Sequence, residues 1–573
     1  MNHSSVQSVI SGTFLVVLFS WRRVHVLLTV VLVALLFLSA SVSRAHAAAG
    51  DLDRTFGTNG FVVTDFSGLE DAANGVAVQS DGKIVVVGYS SLVRLPAVQP
   101  NADFLVARYN ADGTLDTHFG GGGKVTTDFS GRLDIAQAVV IQHNGKIVVA
   151  GYTDNSAGTG FDFALARYNS DGSLDALFGI GGKVTTDFIF NQYNYSGLDF
   201  ANDVALASDE RIIVAGYTQQ NGEYFFALAR YNSDGSMDTS FDADGKALTR
   251  HSAYENVATA VALQSDGKVI IAGYVYSNPG YDFATVRYNN DGSLDTSFGS
   301  NGVVTTDFAF LVSYDFAYDV AIQKDGKILV VGRTDNAVSG ASYFALTRYE
   351  TNGNLDSSFG VGGKVSPYLT YPSAAHSVAI QQDGEIVAAG WAGSGAEFFD
   401  FAVARFNTNG SLDSTFGSGG LVTTDLLDDT DFANAITIQP DGRIVLAGVS
   451  RRSSGFTLYP QNDFDVALAR YEATIFDICI QDDSNGSILR INSTTGDYEF
   501  ANCSGFILSG TGALIKRGAI IKLQHYASDR RVLATIDRGV NRASASIQLL
   551  SPRTTFTITD RNTADDTCAC TAH

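Results

Sequence analysis

The chain has 573 residues, 45% hydrophobic, 11% aromatic and 17% charged, with 58 Gly, 8 Pro and a formal net charge of −22. This apolar content excludes a disordered chain, and Gly without Pro or a G-x-y period excludes collagen and Pro-rich linkers. The acidity excludes a nucleic-acid binder, which carries a basic footprint. The length exceeds one ordinary core, so several domains or a repeat array are expected.

The first 47 residues read as an export signal. Arg22 and Arg23 precede an apolar run from Val26 to Leu38, and Ala45-His46-Ala47 offers a small-x-small cleavage site. The run is short for a membrane span, which needs about 20 residues. Removing residues 1–47 takes away three Arg and no acid, so the mature net charge becomes −25. The expected location is secreted, extracellular, periplasmic or cell-surface, with no stable membrane span after cleavage.

From there to Tyr471 a unit recurs: D-x-A-x-x-V-A-I-Q-x-D-G-K-I-V-V-A-G-Y, then D-F-A-L-A-R-Y-N-x-D-G-S-L-D-x-x-F-G-x-x-G-K-V-T-T-D-F. Its R-Y step falls at Arg108, Arg167, Arg230, Arg287, Arg348, Arg405 and Arg470. Within each copy, apolar β-branched runs are split by Asp-Gly or Asn-Gly pairs, a strong hairpin signal. The first copy predicts strand a over Ala73 to Gln79, b over Lys83 to Tyr89, c over Phe104 to Tyr109 and d over Lys124 to Phe129. Four-stranded units at this period predict a β-propeller, one unit per blade.

The last copy stops after Arg470-Tyr471. Its missing piece lies at the other end, as Leu52 to Gly57 and Phe61 to Phe66. An N-terminal strand is therefore expected to complete blade seven and hide an exposed edge. The a–b and c–d turns keep fixed lengths. The b–c loops run from 7 to 15 residues, and the d–a links vary as well. All length variation is thus expected on one face, where binding residues on a rigid scaffold tend to sit.

The strings D-G-K-I-V-V-A-G-Y, A-R-Y-N-x-D-G-S-L-D-x-x-F-G and V-T-T-D-F resemble the delta-60 repeat family of bacterial secreted β-propellers, over about Asp51 to Tyr471. The resemblance implies a seven-bladed, exported protein and no particular activity. Asp242-Ala243-Asp244-Gly245 and Ser366-Pro367-Tyr368 depart from its pattern.

Several residue sets stand out. Arg of strand c and Asp of L-D recur together, as Arg108/Asp116, Arg167/Asp175 and Arg287/Asp295, with Arg470/Asp53 across the seam. They are expected to be structural ion pairs that lock the c–d turn. Paired Asp residues mark five d–a links: Asp65/Asp71, Asp128/Asp134, Asp187/Asp199, Asp307/Asp315 and Asp425/Asp431. They suit bonds to loop N–H groups. Calcium is the alternative, because paired carboxylates suit a hard cation; otherwise no cofactor is expected. The segment Asn169 to Asp175 is similar to a calcium loop, but Arg167 occupies the first ligand position, so a plain hairpin turn is expected. Arg94, Arg451, Arg452 and Tyr459 lie in the two longest b–c loops and form a candidate basic spot for an anionic or glycan partner. There is no H-E-x-x-H, G-x-S-x-G or P-loop signature.

Residues 474–573 hold all four Cys: Cys479, Cys503, Cys568 and Cys570. Four Cys allow three pairings, and Cys479–Cys503 is favoured. Alternating runs predict a small β-sandwich-like domain, which resembles a β domain seen after other modules in secreted bacterial proteins. Its net charge from Ile475 onward is zero, so the propeller carries the acidity.

The reading is all-β: residues 1–47 a signal, 48–473 a seven-bladed β-propeller closed by an N-terminal strand, and 474–573 a Cys-containing β domain. The expected function is a monomeric, non-catalytic binding or scaffold protein for a protein or glycan, using the variable-loop face. The alternative is a propeller enzyme acting on extracellular glycans or peptides near the central channel.

Overall fold

The structure, a computed structural model, describes residues 49–472 except 67–69, 92–100, 130–132, 155–159, 189–196, 221, 309–312, 337–339, 368–371, 394–397, 428 and 454–461. In the range 478–563 it describes the strands by their backbones. The expected signal over residues 1–47 lies outside the described residues. The chain divides into two compact units, residues 47–475 and a second that holds residues 476–573.

The larger unit is built of antiparallel strands in groups of four. In the first group, strand a is Glu70–Val78, b is Ile84–Ser91, c is Ala102–Tyr109 and d is Lys124–Thr127. They pair in that order. Ile84 to Val87 are fully buried, as are Phe104 to Ala107. Strands covered on both faces read as continuous apolar runs rather than alternating ones. The a–b turn closes with Gly82 N–H donating to Gln79 O at 2.9 Å, and Gly82 sits at φ +83°. A residue without Cβ takes that conformation without steric cost. The last group takes its outer strand from the other end of the chain: Phe61–Thr64 pairs with Asn462–Tyr471, with Phe61 opposite Ala469.

Hydrogen bonds join these groups further than the sequence suggests. Single parallel bridges, such as Leu198 opposite Phe161, link neighbouring groups into three eight-stranded sheets, beside one four-stranded sheet. The core lies between successive groups. One cluster packs Ile84, Leu105 and Tyr109 of the first group against Val445, Val466 and Leu468 of the last. Each such buried aromatic or aliphatic side chain stabilises by about 1.5–3 kcal/mol. Tyrosines of the R-Y step bond across the same seams: Tyr109 OH donates to Thr64 Oγ1 at 2.9 Å, and Tyr168 OH to Thr127 Oγ1 at 2.8 Å.

Every strand a carries a register shift in its pairing with strand b, such as Ala73/Gly75, Ala201/Asp203 and Ala375/Ser377. A bulge of this kind leaves one residue unpaired and re-aims its side chain. It also explains the Gly before the strand-b aromatic: a Cβ on Gly88 would lie 1.8 Å from Ala72 O.

The smaller unit holds two five-stranded antiparallel sheets. One orders Ile507–Thr511, Asp497–Ala501, Ile488–Ile491, Ile478–Gln481 and Asn562–Thr563; the other runs in chain order from Ala513–Arg517 to Thr555–Thr559. No helix among the described residues is long and apolar enough to cross a membrane.

Candidate functional site

On the side of the c–d turns the same clasp recurs. Arg108 Nε donates to Asp116 Oδ2 at 2.9 Å, Arg167 to Asp175 at 2.7 Å, Arg287 to Asp295 at 2.8 Å, and Arg470 to Asp53 at 2.9 Å. Arg230/Asp238, Arg348/Asp356 and Arg405/Asp413 do the same. Each guanidinium also covers a Phe ring, at 4.5 Å for Arg108 over Phe119 and 4.6 Å for Arg470 over Phe56. Burial alone would raise Asp295, but Lys268, Ser297 and Arg287 outweigh it and hold its carboxyl well below the ordinary range. The clasp spans copies as well: Arg167 Nη1 donates to Ser233 O and Arg470 Nη1 to Ala111 O. With both partners and a ring in place, the arrangement fixes turns and leaves no group free to react. The Asn169–Asp175 segment is a turn of the same face, with Ser173 N–H donating to Asp171 Oδ1 at 2.9 Å.

The d–a links carry the carboxylates. The second Asp of each pair is buried and accepts a link N–H. Asp71 takes Phe66 N–H at 2.6 Å, Asp134 takes Phe129 at 2.6 Å, Asp199 takes Phe188 at 2.7 Å, Asp315 takes Phe308 at 2.9 Å and Asp431 takes Leu426 at 2.7 Å. The sequence reading missed a third acid, from strand c. Four clusters bring carboxylate oxygens within 4.8 Å of one another: Asp65/Asp71/Asp465, Asp103/Asp128/Asp134, Asp162/Asp187/Asp199 and Asp282/Asp307/Asp315. Asp425 and Asp431 have Asp400 beside them. Burial, then neighbouring carboxylates, push Asp134, Asp315 and Asp431 up to about 6 and Asp199 up to about 7. Three acids together could hold a hard cation or share protons.

The two links without paired Asp lack all three acids. Phe225, Arg250 and Asn256 stand at the corresponding places of one, and Tyr343 and Ser373 in the other. Asn256 caps His251 N–H at 3.0 Å and Ser252 N–H at 2.7 Å, so a neutral amide fills the same N–H-accepting role.

The unpaired bulge residues point elsewhere. Asn74, Gln137, Asn202, Thr259, Tyr318, His376 and Asn434 all line one central cavity of about 490 Å³, together with Asp203 and Asp319. Four of them tie one strand a to the next: Asn74 Nδ2 to Ala136 O at 2.9 Å, Asn202 Nδ2 to Ala258 O at 2.7 Å, Thr259 Oγ1 to Ala317 O at 3.0 Å, and Asn434 Nδ2 to Ala73 O at 2.8 Å. Asp203 is pushed up to about 8 and Asp319 to about 6, chiefly by burial deep in the channel. Both carboxylates are spent on backbone: Asp203 accepts Val204 and Val261 N–H, each at 2.7 Å, and Asp319 accepts Val320 and Val378 N–H.

Above this cavity lies a second space of about 470 Å³, lined by Tyr89, Arg333, Trp391, Phe399, Phe432 and Phe464, with Asn74, Tyr318, His376 and Asn434 shared with the channel. Trp391 Nε1 donates to His376 Nε2 at 3.3 Å, and Phe399 meets the indole edge-on at 4.7 Å. Burial pushes His376 down to about 4, opposed by the hydrogen bond to Asn434 and helped least by Arg333, so its ring is neutral at pH 7. Aromatic packing continues around the mouth through Tyr152, Phe200 and Tyr217, and through Tyr274, Tyr281 and Phe316. A period search exposes the strand-b slot itself (Tyr89, Tyr152, Tyr217, Tyr274, Arg333, Trp391, Val449). Only the bulge reveals the second ring.

Of the expected basic spot, Arg451 lies 3.5 Å from Asp429, and Arg452 is described as a strand position only. Arg94 and Tyr459 lie outside the described residues, as do Cys503 and the side chain of Cys479, so the expected disulfide is not described.

A family model described as "Domain of unknown function (DUF5122) beta-propeller" matches residues 79–119, 142–178, 207–241, 264–298, 323–359 and 381–416. No curated protein matches. Among solved structures the chain is similar to virginiamycin B lyase from Staphylococcus aureus (11% identity, TM-score 0.39, covering 71% of this chain and 98% of that one). It is also similar to polysaccharide lyase Uly1 (11% identity, TM-score 0.39, covering 75% and 98%). Likeness at this level carries no argument about activity. The six family-model segments fall on successive strand groups of one all-β architecture: the chain is a β-propeller repeat protein.

Proposed function

We propose that this protein is an exported, non-catalytic binding protein, a seven-bladed propeller closed by Phe61–Thr64, that takes its ligand at the channel mouth. Closure is supported by the bond from Asn434 in the last copy to Ala73 in the first. The observation that carries the binding reading is the mouth itself, a concave, mostly aromatic space with a few convergent polar groups. The enzyme alternative would draw on Asp203, Asp319 and His376. The two carboxylates are occupied by backbone N–H groups, and the imidazole by Trp391, so none stands ready for acid or base work.

The test screens the mature chain on glycan and peptide arrays beside its Trp391→Ala variant, with melting curves to establish that the variant folds. Capture that Trp391→Ala abolishes supports the mouth as the binding site. Capture that survives the substitution overturns it.

A further inference from the structure

We infer that the space between Tyr89 and Trp391 is a subsite for an uncharged saccharide, one sugar ring lying on the indole face with its hydroxyls on Asn74 and Asn434. This rests on the reading of the mouth as a binding site and narrows its ligand.

The cation in the lining is Arg333, and its Nε lies 3.3 Å from Asp335 Oδ2 while its guanidinium covers Phe316 at 5.0 Å. No carboxylate is among the lining residues described. An anionic ligand would have to compete with Asp335, and a cationic one would find no counter-charge. A net-neutral pocket selects a neutral ligand, because an unpaired charge brought into it keeps its desolvation cost.

Trp391 is held in place on three sides, by His376 at its Nε1, by Phe399 at 4.7 Å and by Phe432 at 6.2 Å. A pre-set aromatic platform lowers the ordering cost of binding a flat ligand face. The volume, about 470 Å³, lies within the small-ligand range.

Asn74 and Asn434 each spend one amide N–H on a backbone carbonyl, and the Asn434 oxygen faces His376 Nδ1 at 3.4 Å, which leaves a second N–H on each and the amide oxygen of Asn74 for a ligand. A side chain that both donates and accepts matches a hydroxyl, which does the same. A sugar ring combines such hydroxyls with an apolar C–H face.

The experiment uses the mature chain, in which Trp391 is the one tryptophan after residue 47, so its emission reports this pocket. Cellohexaose, xylohexaose and mannohexaose are titrated beside hexagalacturonate and the peptides captured on the array. At least one neutral hexasaccharide is expected to shift the emission saturably and to bind at least tenfold tighter than hexagalacturonate. Trp391→Ala (by calorimetry) and Tyr89→Ala (by emission) are each expected to weaken it at least tenfold while their melting curves stay cooperative. Tyr254→Ala, an exposed position away from the pocket, is expected to change nothing. Tighter hexagalacturonate binding overturns the neutral assignment. Peptides that shift the emission while the sugars do not overturn the saccharide and leave the mouth intact as a binding site. Silence in every arm overturns both readings.

Discussion

The turn side and the mouth of the propeller are built on the same strands and obey opposite rules. On the turn side every copy repeats one Arg–Asp–Phe clasp, with N–O distances of 2.7–2.9 Å. At the mouth the equivalent slot is Tyr, Tyr, Tyr, Tyr, Arg, Trp and Val in successive copies. An array needs identical contacts wherever a copy meets its neighbour, since its stability is a sum of such interfaces. It needs no identity where side chains face a shared cavity. Positions that repeat therefore carry architecture, and, under the proposed function, positions that diverge on the same scaffold carry recognition.

The largest expected effect comes from breaking the clasp between the N-terminal segment and the last copy. Asp53→Ala leaves Arg470 buried without its carboxylate and is expected to cost about 3–5 kcal/mol, read from the denaturant midpoint. A cost no larger than that of Asp81→Ala, an exposed change, would place the seam elsewhere. Next comes the bulge that separates the two regimes. Gly273→Ala puts a Cβ 1.9 Å from Val257 O and is expected to cost about 1–3 kcal/mol through forced backbone shifts. A silent substitution there would mean that strand a is not held against strand b.

A third prediction concerns pH. Asp134, Asp199, Asp315 and Asp431 sit at about 6 to 7 in the folded chain, above the ordinary carboxylate value, chiefly through burial. The folded state thus binds protons that the unfolded state has already released, so stability falls as pH rises through that range. The clasp carboxylates, held low, act with the opposite sign and only in acid. The melting temperature is expected to fall from pH 5 to about pH 8, the last part through Asp203, and less steeply in Asp134→Asn; a rise over that interval would contradict the assignment. A smaller effect belongs to Tyr168→Phe, which removes the donor to buried Thr127 and is expected to cost about 1 kcal/mol by urea titration. Smallest of all is chelation. The second Asp of each link already accepts a backbone N–H, so EDTA is expected to leave the melting temperature unchanged. A drop of several degrees would instead assign calcium to the three-acid clusters.

The strand groups were legible because their signals are local: β-branched runs, Asp-Gly turns and a fixed spacing from Arg to Asp within one copy. The paired Asp of each link could be read for the same reason, lying 6 to 12 residues apart. Their third partner could not. Asp465 joins Asp65 and Asp71 across almost the whole chain, and nothing in its neighbourhood announces that. The basic spot was drawn from the Arg and Tyr residues of the two longest loops; its one described side chain, Arg451, has Asp429 3.5 Å away.

By itself the sequence determined the all-β repeat, its turns, and which residue types recur at each seam, since these follow from hydrogen-bonding periodicity and turn stereochemistry over a few residues. The tertiary structure decided what faces the channel. A one-residue bulge in strand a frees Asn74, Tyr318, His376 and Asn434 from the pleat and turns them into a common cavity. The side-chain alternation of a strand runs with period two, so an extra residue changes which side chain faces inward. That change is set by close contact between the Gly of strand b and the carbonyl of strand a, a contact that exists only once the strands have paired.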